Sequence, residues 1–482
     1  MEPYFYVIIA VLAILLAFIL VILIRTFNFK PKKAVKVFDN EETFDKDSAV
    51  KNLQELVKFK TISYYDKEKE DDKEFRGFID KLPTLYPNVY KTCTLKELDD
   101  RGLLYLWKGK NVGPASIMMA HYDVVPVSET GWDKPAFDGI IENGVLWGRG
   151  TLDTKVTFNG IMSGAEELIK RGFQPENDVY FAFSGNEEVN GRGAVNIVDY
   201  FEKNNIEIAF VIDEGGAVVK DVFPGVKEPC GLIGIAEKGM MDLRYIVNSN
   251  GGHASAPKPD SPVVLLSKAC VKIEENPFKF HLTPPVKEMF DTLGRHSSFV
   301  YRMIFANLWL FKGVLNGMAK KKGGEMNALL RTTVAFTKTQ GSEANNVIPA
   351  KASFVSNIRL NPADTIDGGI EYIKKTIDDD RVNVELIQGV NPSRISKVNC
   401  AEWDKVASSV ASTWNGSIVS PYLMVQCSDS RHYGRISDKV YRFSAMALSS
   451  EERATIHGTN ERIKLETIEK AVEFYIRLLK QC

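Results

Sequence analysis

Hydrophobic positions along the chain fall into three successive patterns. The first is continuous. From Tyr4 to Ile24 no charged residue occurs. About 21 residues at about 1.5 Å rise span about 31 Å, the thickness of a bilayer core. The run is apolar on every face, which a buried helix rarely is. Its Met-Glu-Pro start and Ile-Leu-Ile-Arg25 end lack the basic start and small-residue cleavage site of a signal peptide. A single-pass membrane anchor over residues 4–24, in contact with membrane lipid, is therefore expected, followed by a juxtamembrane linker over 25–44. Arg25, Lys30, Lys32, Lys33 and Lys36 follow the span. The positive-inside bias then places the large C-terminal portion in the cytoplasm, with an extracytoplasmic or lumenal location as the alternative.

The second pattern alternates short apolar runs with amphipathic stretches. A helix is predicted from Ala49 to Phe59, with Leu53, Leu56 and Val57 on one face. Leu103–Trp107, Ser116–Ala120, Val179–Phe183 and Ile208–Ile212 have strand length. Phe158, Ile161, Met162, Ala165, Leu168 and Ile169 recur at helical spacing, with Gly172 as a C-cap. Buried strands alternating with such helices predict an α/β unit, a largely parallel sheet flanked by helices. It covers residues 45–238 and resumes over 393–482.

The third pattern begins near Gly239. Met241–Val247 alternates as a half-exposed strand, a helix follows Pro262, and strands are predicted over Thr332–Thr337 and Ala352–Leu360. A helix over Ile366–Ile377 and a strand over Val382–Ile387 complete the set. This order predicts an inserted α+β, ferredoxin-like lid or dimerisation domain over 239–392. A helical insert near 278–322 carries Val300, Met303, Ile304, Leu308, Leu310 and Phe311 ahead of Lys320–Lys322. It is expected to be a packed excursion in preference to a membrane-facing or dimer-facing surface.

Composition adds exclusions. The chain has 482 residues and a formal net charge of −1, which does not favour nucleic acid or another polyanion as partner. Six cysteines stand singly, which argues against a thiolate metal site and a disulfide scaffold.

Chemistry is concentrated at predicted strand ends. His121, Glu187-Glu188 and Asp213 each lie just past an apolar run, where α/β sheets bind ligands. With Asp153 and His457 they offer the imidazole and carboxylate donors of a two-metal hydrolytic centre. Two Zn2+ ions are expected, with Mn2+ or Co2+ as substitutes. His121 and Asp213 are assigned to one ion, Glu188 and His457 to the other, and Asp153 bridges them. Glu187 is left free as general acid–base. Asp123 is placed to orient the His121 ring. Each piece alone is weak, and the ordered set carries the weight.

That set resembles the zinc exopeptidase and amidohydrolase family that includes aminoacylase-1, carboxypeptidase S and bacterial glutamate carboxypeptidase. The likeness rests on Ala120-His-Tyr-Asp-Val-Val-Pro126, Gly148-Arg-Gly-Thr-Leu-Asp153, Ser184-Gly-Asn-Glu-Glu-Val189 and Val211-Ile-Asp-Glu-Gly-Gly216. Gly251–Pro257, Asn346–Pro349 and His457–Glu461 extend it from about residue 45 to the end. Ile-Asp-Glu-Gly-Gly and Ser428-Asp-Ser-Arg-His432 are similar to the carboxypeptidase S branch. The resemblance implies that His253 reaches the oxyanion from the lid, often from a partner subunit of a homodimer. It implies that Asn346 and Arg359 hold the substrate, Arg359 by its terminal carboxylate; a lid-surface salt bridge is the competing role for Arg359. Arg431 is placed in the cleft on weaker grounds. Thr154-Lys155-Val156 and Asn186 depart from the family pattern without touching a ligand. A membrane-anchored hydrolase is expected, cleaving an amide beside a free carboxylate in a small peptide or an N-acyl amino acid. A lipid-like acyl group and an inactive metal-binding scaffold are the rivals.

Overall fold

The computed structural model describes residues 3–32, 35–128 and 130–482, so Lys33 of the basic cluster lies outside the described residues. The N-terminal run forms one helix, α1 (Pro3–Asn28). Its apolar stretch has a mean hydropathy of 3.7 and is not buried inside the protein. It is long and apolar enough to cross a membrane.

Helix α2 (Lys46–Val57) follows, starting earlier than its apolar face because Asp45 accepts from the Ser48 amide as N-cap. The main sheet then takes β1 (Thr94–Leu98), β2 (Gly102–Trp107), β3 (Ala115–His121), β4 (Val179–Ser184), β5 (Ile208–Val219) and β6 (Cys230–Glu237). A second sheet takes β7 (Gly239–Asn248), β8 (Thr333–Gln340), β9 (Lys351–Leu360) and β10 (Asn383–Val390), after which β11 (Ile418–Met424) and β12 (Val440–Leu448) return to the first. The helices used below are α3 (Lys155–Lys170), α4 (Gly193–Lys203), α5 (Pro262–Glu275), α6 (Pro284–His296), α7 (Phe299–Ala306) and α8 (Leu308–Lys322). They continue with α9 (Gly324–Leu330), α10 (Ile366–Ile377), α11 (Ala401–Thr413) and α12 (Leu465–Leu479).

The main sheet has eight strands in the order β1-β2-β4-β3-β5-β12-β6-β11. Its centre, β4-β3-β5-β12, is parallel, while β1 and β2 pair antiparallel at one edge. The sheet is thus mixed and largely parallel. All seven residues of β3 are buried, which explains its unbroken apolar run. Helix α3 packs against α12 through small residues: a Cβ on Gly160 would stand 2.9 Å from the Tyr475 ring. Gly172 ends the turn after α3 with φ +74°, as its position predicts.

The second sheet is antiparallel in the order β8-β9-β7-β10. It has a core of its own, formed by Met241, Leu243 and Tyr245 with Leu265 and Leu266 of α5 and Ile373 of α10. Its predicted strands and helices appear within a few residues of their expected ends.

The helical insert differs from expectation in two ways. Its buried residues Val286, Phe290, Phe305 and Leu315 join the core of the main sheet, while Phe278 at its start joins that of the second sheet. Phe223, which follows β5, supplies the contact, with its ring 4.7 Å from that of Phe305. The insert is also packed on one side only. Phe299, Val300, Trp309, Leu310, Val314 and Met318 remain exposed. A run that is apolar nearly all round cannot bury every face against one neighbour.

Candidate active site

The parallel register aligns the carboxyl ends of the central strands. His121 closes β3 opposite Ser184, which closes β4. Beyond Ser184 a short 3-10 turn presents Glu187 and Glu188. Asn186 braces that turn, with its amide donating to the Asp100 carbonyl and its oxygen accepting from the Gly193 amide. The family departure at this position is therefore occupied by a loop-fixing side chain.

Asp153 stands between the two imidazoles. Its Oδ1 lies 3.0 Å from His121 Nε2 and its Oδ2 lies 3.0 Å from His457 Nε2. Glu188 lies 3.2 Å from His457 Nε2. Glu214 Oε1 lies 3.3 Å from His121 Nε2. Two sets of donor atoms fall within 4.8 Å of one another, His121 with Asp153 and Glu188, and His121 with Glu187 and Glu214.

Asp213 is not among them, and its expected place beside His121 is taken by Glu214. Consecutive residues on a strand face opposite sides. Asp213 faces the Asp429–Arg435 turn, where its Oδ2 accepts from the Ser430 amide at 2.9 Å. The glycines that follow have a steric role. A Cβ on Gly216 would overlap the Leu232 carbonyl at 1.9 Å, so the strand can cross β6 here only without a side chain.

Asp123 is fully buried and does more than orient one ring. His121 Nδ1 contacts the Asp123 carbonyl at 3.0 Å and its Oδ1 at 3.4 Å. The same carboxylate accepts from the Glu187 amide at 3.1 Å, the Glu188 amide at 3.2 Å and the Ser63 hydroxyl at 2.6 Å. One acidic group thereby sets both the imidazole and the glutamate turn.

The charge state of this cluster fits cations. Burial, and next the Asp153 charge, push Glu188 and Glu214 each up to about 7. Burial holds Glu187 well above the usual carboxylate range. Hydrogen bonds to Asp153 and Glu188 raise His457 to about 11. Burial opposes charge on His121, yet the Glu214 charge and the contacts with Asp123 and Asp153 hold its pKa well above normal. Three crowded acids that favour their protonated forms, beside an Asp153 whose pKa the two imidazoles lower and two imidazoles whose pKa values are raised, make a site that favours positive charge. Donors about 2.0–2.1 Å from a tetrahedral zinc lie about 3.3 Å apart, close to the contacts found here. His121, Asp153 and Glu214 could hold one ion, and Asp153, Glu188 and His457 a second.

Glu461 ties the two ligand loops together. Its buried carboxylate accepts from Arg149 at 2.7 Å and from the Gly150 and Leu152 amides at 3.1 and 2.8 Å. Arg149 also donates to the Gly458 carbonyl at 2.9 Å, next to His457. The sequence places Glu461 in a matching motif but carries no sign of this role. Glu461→Gln leaves Arg149 buried without its counter-charge, which is expected to cost about 3–5 kcal/mol. Metal affinity should weaken about 10–100-fold. Thermal denaturation and metal titration check both; wild-type values would show that the loops hold each other without this pair.

A cavity of about 720 Å3 opens from Asp153, Glu187, Glu188, Glu214 and His457. Val219, Leu232, Met424, Met446 and Leu448 give its lining an apolar part. Helix α9 closes one side through Glu325 and Ala328. Arg359 does not itself line the cavity, but it donates to Asn357 and contacts the Sγ of Cys427, a lining residue. It has no acidic partner among the described residues, so the salt-bridge role is not what the structure shows. Arg431 is held away by the Ser428 carbonyl and Asn190 and does not line the cavity. His253 ends a short exposed strand and Asn346 lies in the turn that leads into the strand paired with it, joined by the Ala254 amide to the Asn346 carbonyl, and neither lines the cavity. Tyr422, paired with Glu325 at 3.1 Å, and Arg453 line it without having been expected.

The profile of peptidase family M20/M25/M40 matches residues 117–481. The chain belongs to this family. It is 33% identical over 484 residues to the probable carboxypeptidase S-like 2 of Dictyostelium discoideum, covering 97% of this chain and 92% of that one. It is 32% identical over 481 residues to an N-fatty-acyl-amino acid synthase/hydrolase of Xenopus tropicalis, covering 97% and 93%. An M20 family metallo-carboxypeptidase from Sulfolobus solfataricus shares the fold with a TM-score of 0.66 at 19% identity, covering 90% of this chain and 98% of that one. As an M20 protein the chain is a hydrolase of C–N bonds, and its likeness to carboxypeptidase S-like relatives bears out the branch its motifs indicate.

Proposed function

We propose that this M20 hydrolase cleaves the amide bond between an apolar acyl group and an amino acid with a free carboxylate. The observation that carries this is the cavity, which begins at the carboxylate–imidazole cluster and has an apolar part to its lining. Its volume of about 720 Å3 suits a ligand larger than a dipeptide side chain. A small peptide with an apolar penultimate residue would occupy the same space less fully.

Two zinc ions, the cations we propose for His121, Asp153, Glu188, Glu214 and His457, would polarise the carbonyl and acidify water. Glu187 accepts the proton of the attacking water and returns it to the leaving nitrogen. Asp123 holds the His121 ring and the Glu187-Glu188 backbone in place for that transfer. Arg359 receives the substrate carboxylate, a planar pairing its guanidinium can make twice over. The second sheet acts as a lid that excludes water when it closes. His253 and Asn346 would join the reaction through that closure or from a second copy of the chain. Helix α1 is retained as a single-pass anchor.

Hydrolysis of N-acyl amino acids of rising chain length tests this. Each buried methylene is worth about 0.8 kcal/mol, so kcat/KM should rise roughly fourfold per methylene until the cavity fills. A flat profile, or a preference for polar dipeptides, would overturn the acyl assignment. Arg359→Met should raise KM for free acids at least about tenfold and leave amidated analogues unaffected. If Arg453→Met does so instead, Arg453 receives the carboxylate.

A further inference from the structure

We propose that α7 and α8 form a second membrane contact, lying in the outer layer of the bilayer beside α1. The insert is fastened to α1 along its last turns. Arg25 donates to the Ala306 carbonyl at 3.1 Å, and Asn307 donates to the Ile22 carbonyl at 3.3 Å. The Phe27 and Phe299 rings stand 5.6 Å apart. The Trp309 ring meets Phe18 edge-on at 5.8 Å. Phe18 lies ten residues before the end of α1, roughly 15 Å along its axis. A bilayer that surrounds α1 at Phe18 therefore also reaches Trp309.

The exposed surface of α8 suits that position. Leu310, Val314 and Met318 are spaced four residues apart and are 37%, 55% and 58% exposed. Such spacing makes one continuous stripe. Gly313 and Gly317 lie within it and meet no neighbouring atom. Phe299 and Val300 of α7 extend the patch toward the end of α1. Apolar surface of this extent is rarely left to water. Lys312 flanks the stripe, and Lys320, Lys321 and Lys322 close the helix, where anionic headgroups would meet them. The deep end carries the tryptophan and the shallow end the charges, the gradient of an interfacial helix. The occupant that matches both ends is a bilayer containing anionic lipid.

The inference rests on the retention of α1 as a membrane span, not on the identity of the substrate. The test uses the full chain in phosphatidylcholine–phosphatidylserine vesicles with brominated acyl chains. Quenching by bromolipid is expected in the wild type and should fall in Trp309→Phe by the share of one of the chain's six tryptophans. Acrylamide in the water should not reach that share. Equal bromolipid quenching in both proteins, or acrylamide access to Trp309, overturns the proposal. Shielding of Trp309 from both quenchers, with a dimer in detergent that Val314→Glu dissociates, assigns the face to a second copy and also overturns it. N-terminal sequencing separates a failure of the anchor. If α1 has been removed, the same vesicles still retain the protein and quench Trp309 only if the insert itself binds lipid.

Discussion

Glu187→Gln is expected to lower turnover by about 10²–10⁴-fold while both metal ions stay bound. The substitution preserves size and removes only the ability to carry a proton. The Glu187 amide is fixed by Asp123, so the turn that presents Glu188 does not depend on the Glu187 side chain. Its carboxyl stands within 4.8 Å of His121 and Glu214 yet makes no ion pair among the described residues. Burial raises its affinity for a proton, which suits a group that must take one up at neutral pH. Steady-state kinetics with metal analysis of the same sample distinguishes the outcomes. Normal turnover would remove Glu187 from proton transfer. Loss of an ion would make it a ligand.

The second large effect separates two adjacent acids. Glu214→Gln should release one ion per chain and reduce metal affinity on the order of 10³-fold or more, beyond the 10–100-fold of an outer partner. Asp213→Asn should keep both ions. Asp213 is spent on the Ser430 amide, and its neutral form can still accept that hydrogen bond. Metal content of the two purified variants decides the matter. Loss of an ion from Asp213→Asn with none from Glu214→Gln would reverse the assignment and restore Asp213 to the first ion.

These two residues show how far the chain can be read. Hydrophobic periodicity located β3, β4 and the first half of β5, and the ends of those apolar runs located His121, Glu187-Glu188 and Asp213, although β5 itself continues to Val219. Periodicity of two says that neighbours on a strand point apart, but not which of them points to the site. That depended on the Asp429–Arg435 turn, more than two hundred residues later, which claims Asp213. Glu461 was invisible as a clamp for a similar reason, since its partner Arg149 is brought to it only by folding.

The insert carries the same lesson at larger scale. Its apolar residues predicted burial, and Val286, Phe290, Phe305 and Leu315 are buried in the main-sheet core. Phe299 and Trp309 meet rings of α1 instead. Local composition records that a residue prefers an apolar environment and is silent on whether protein or lipid provides it.

By itself, the sequence predicted the α/β layer, the inserted antiparallel sheet and the apolar N-terminal helix, and it named four of the five residues proposed as metal ligands. Those follow from periodicity and from the donor chemistry of single residues, which are local properties. Only the tertiary structure decided which acid faces His121, which arginine lines the cavity, and where the apolar insert lies. Each of these depends on which distant surfaces meet, and contact between distant surfaces is settled by packing of the whole chain.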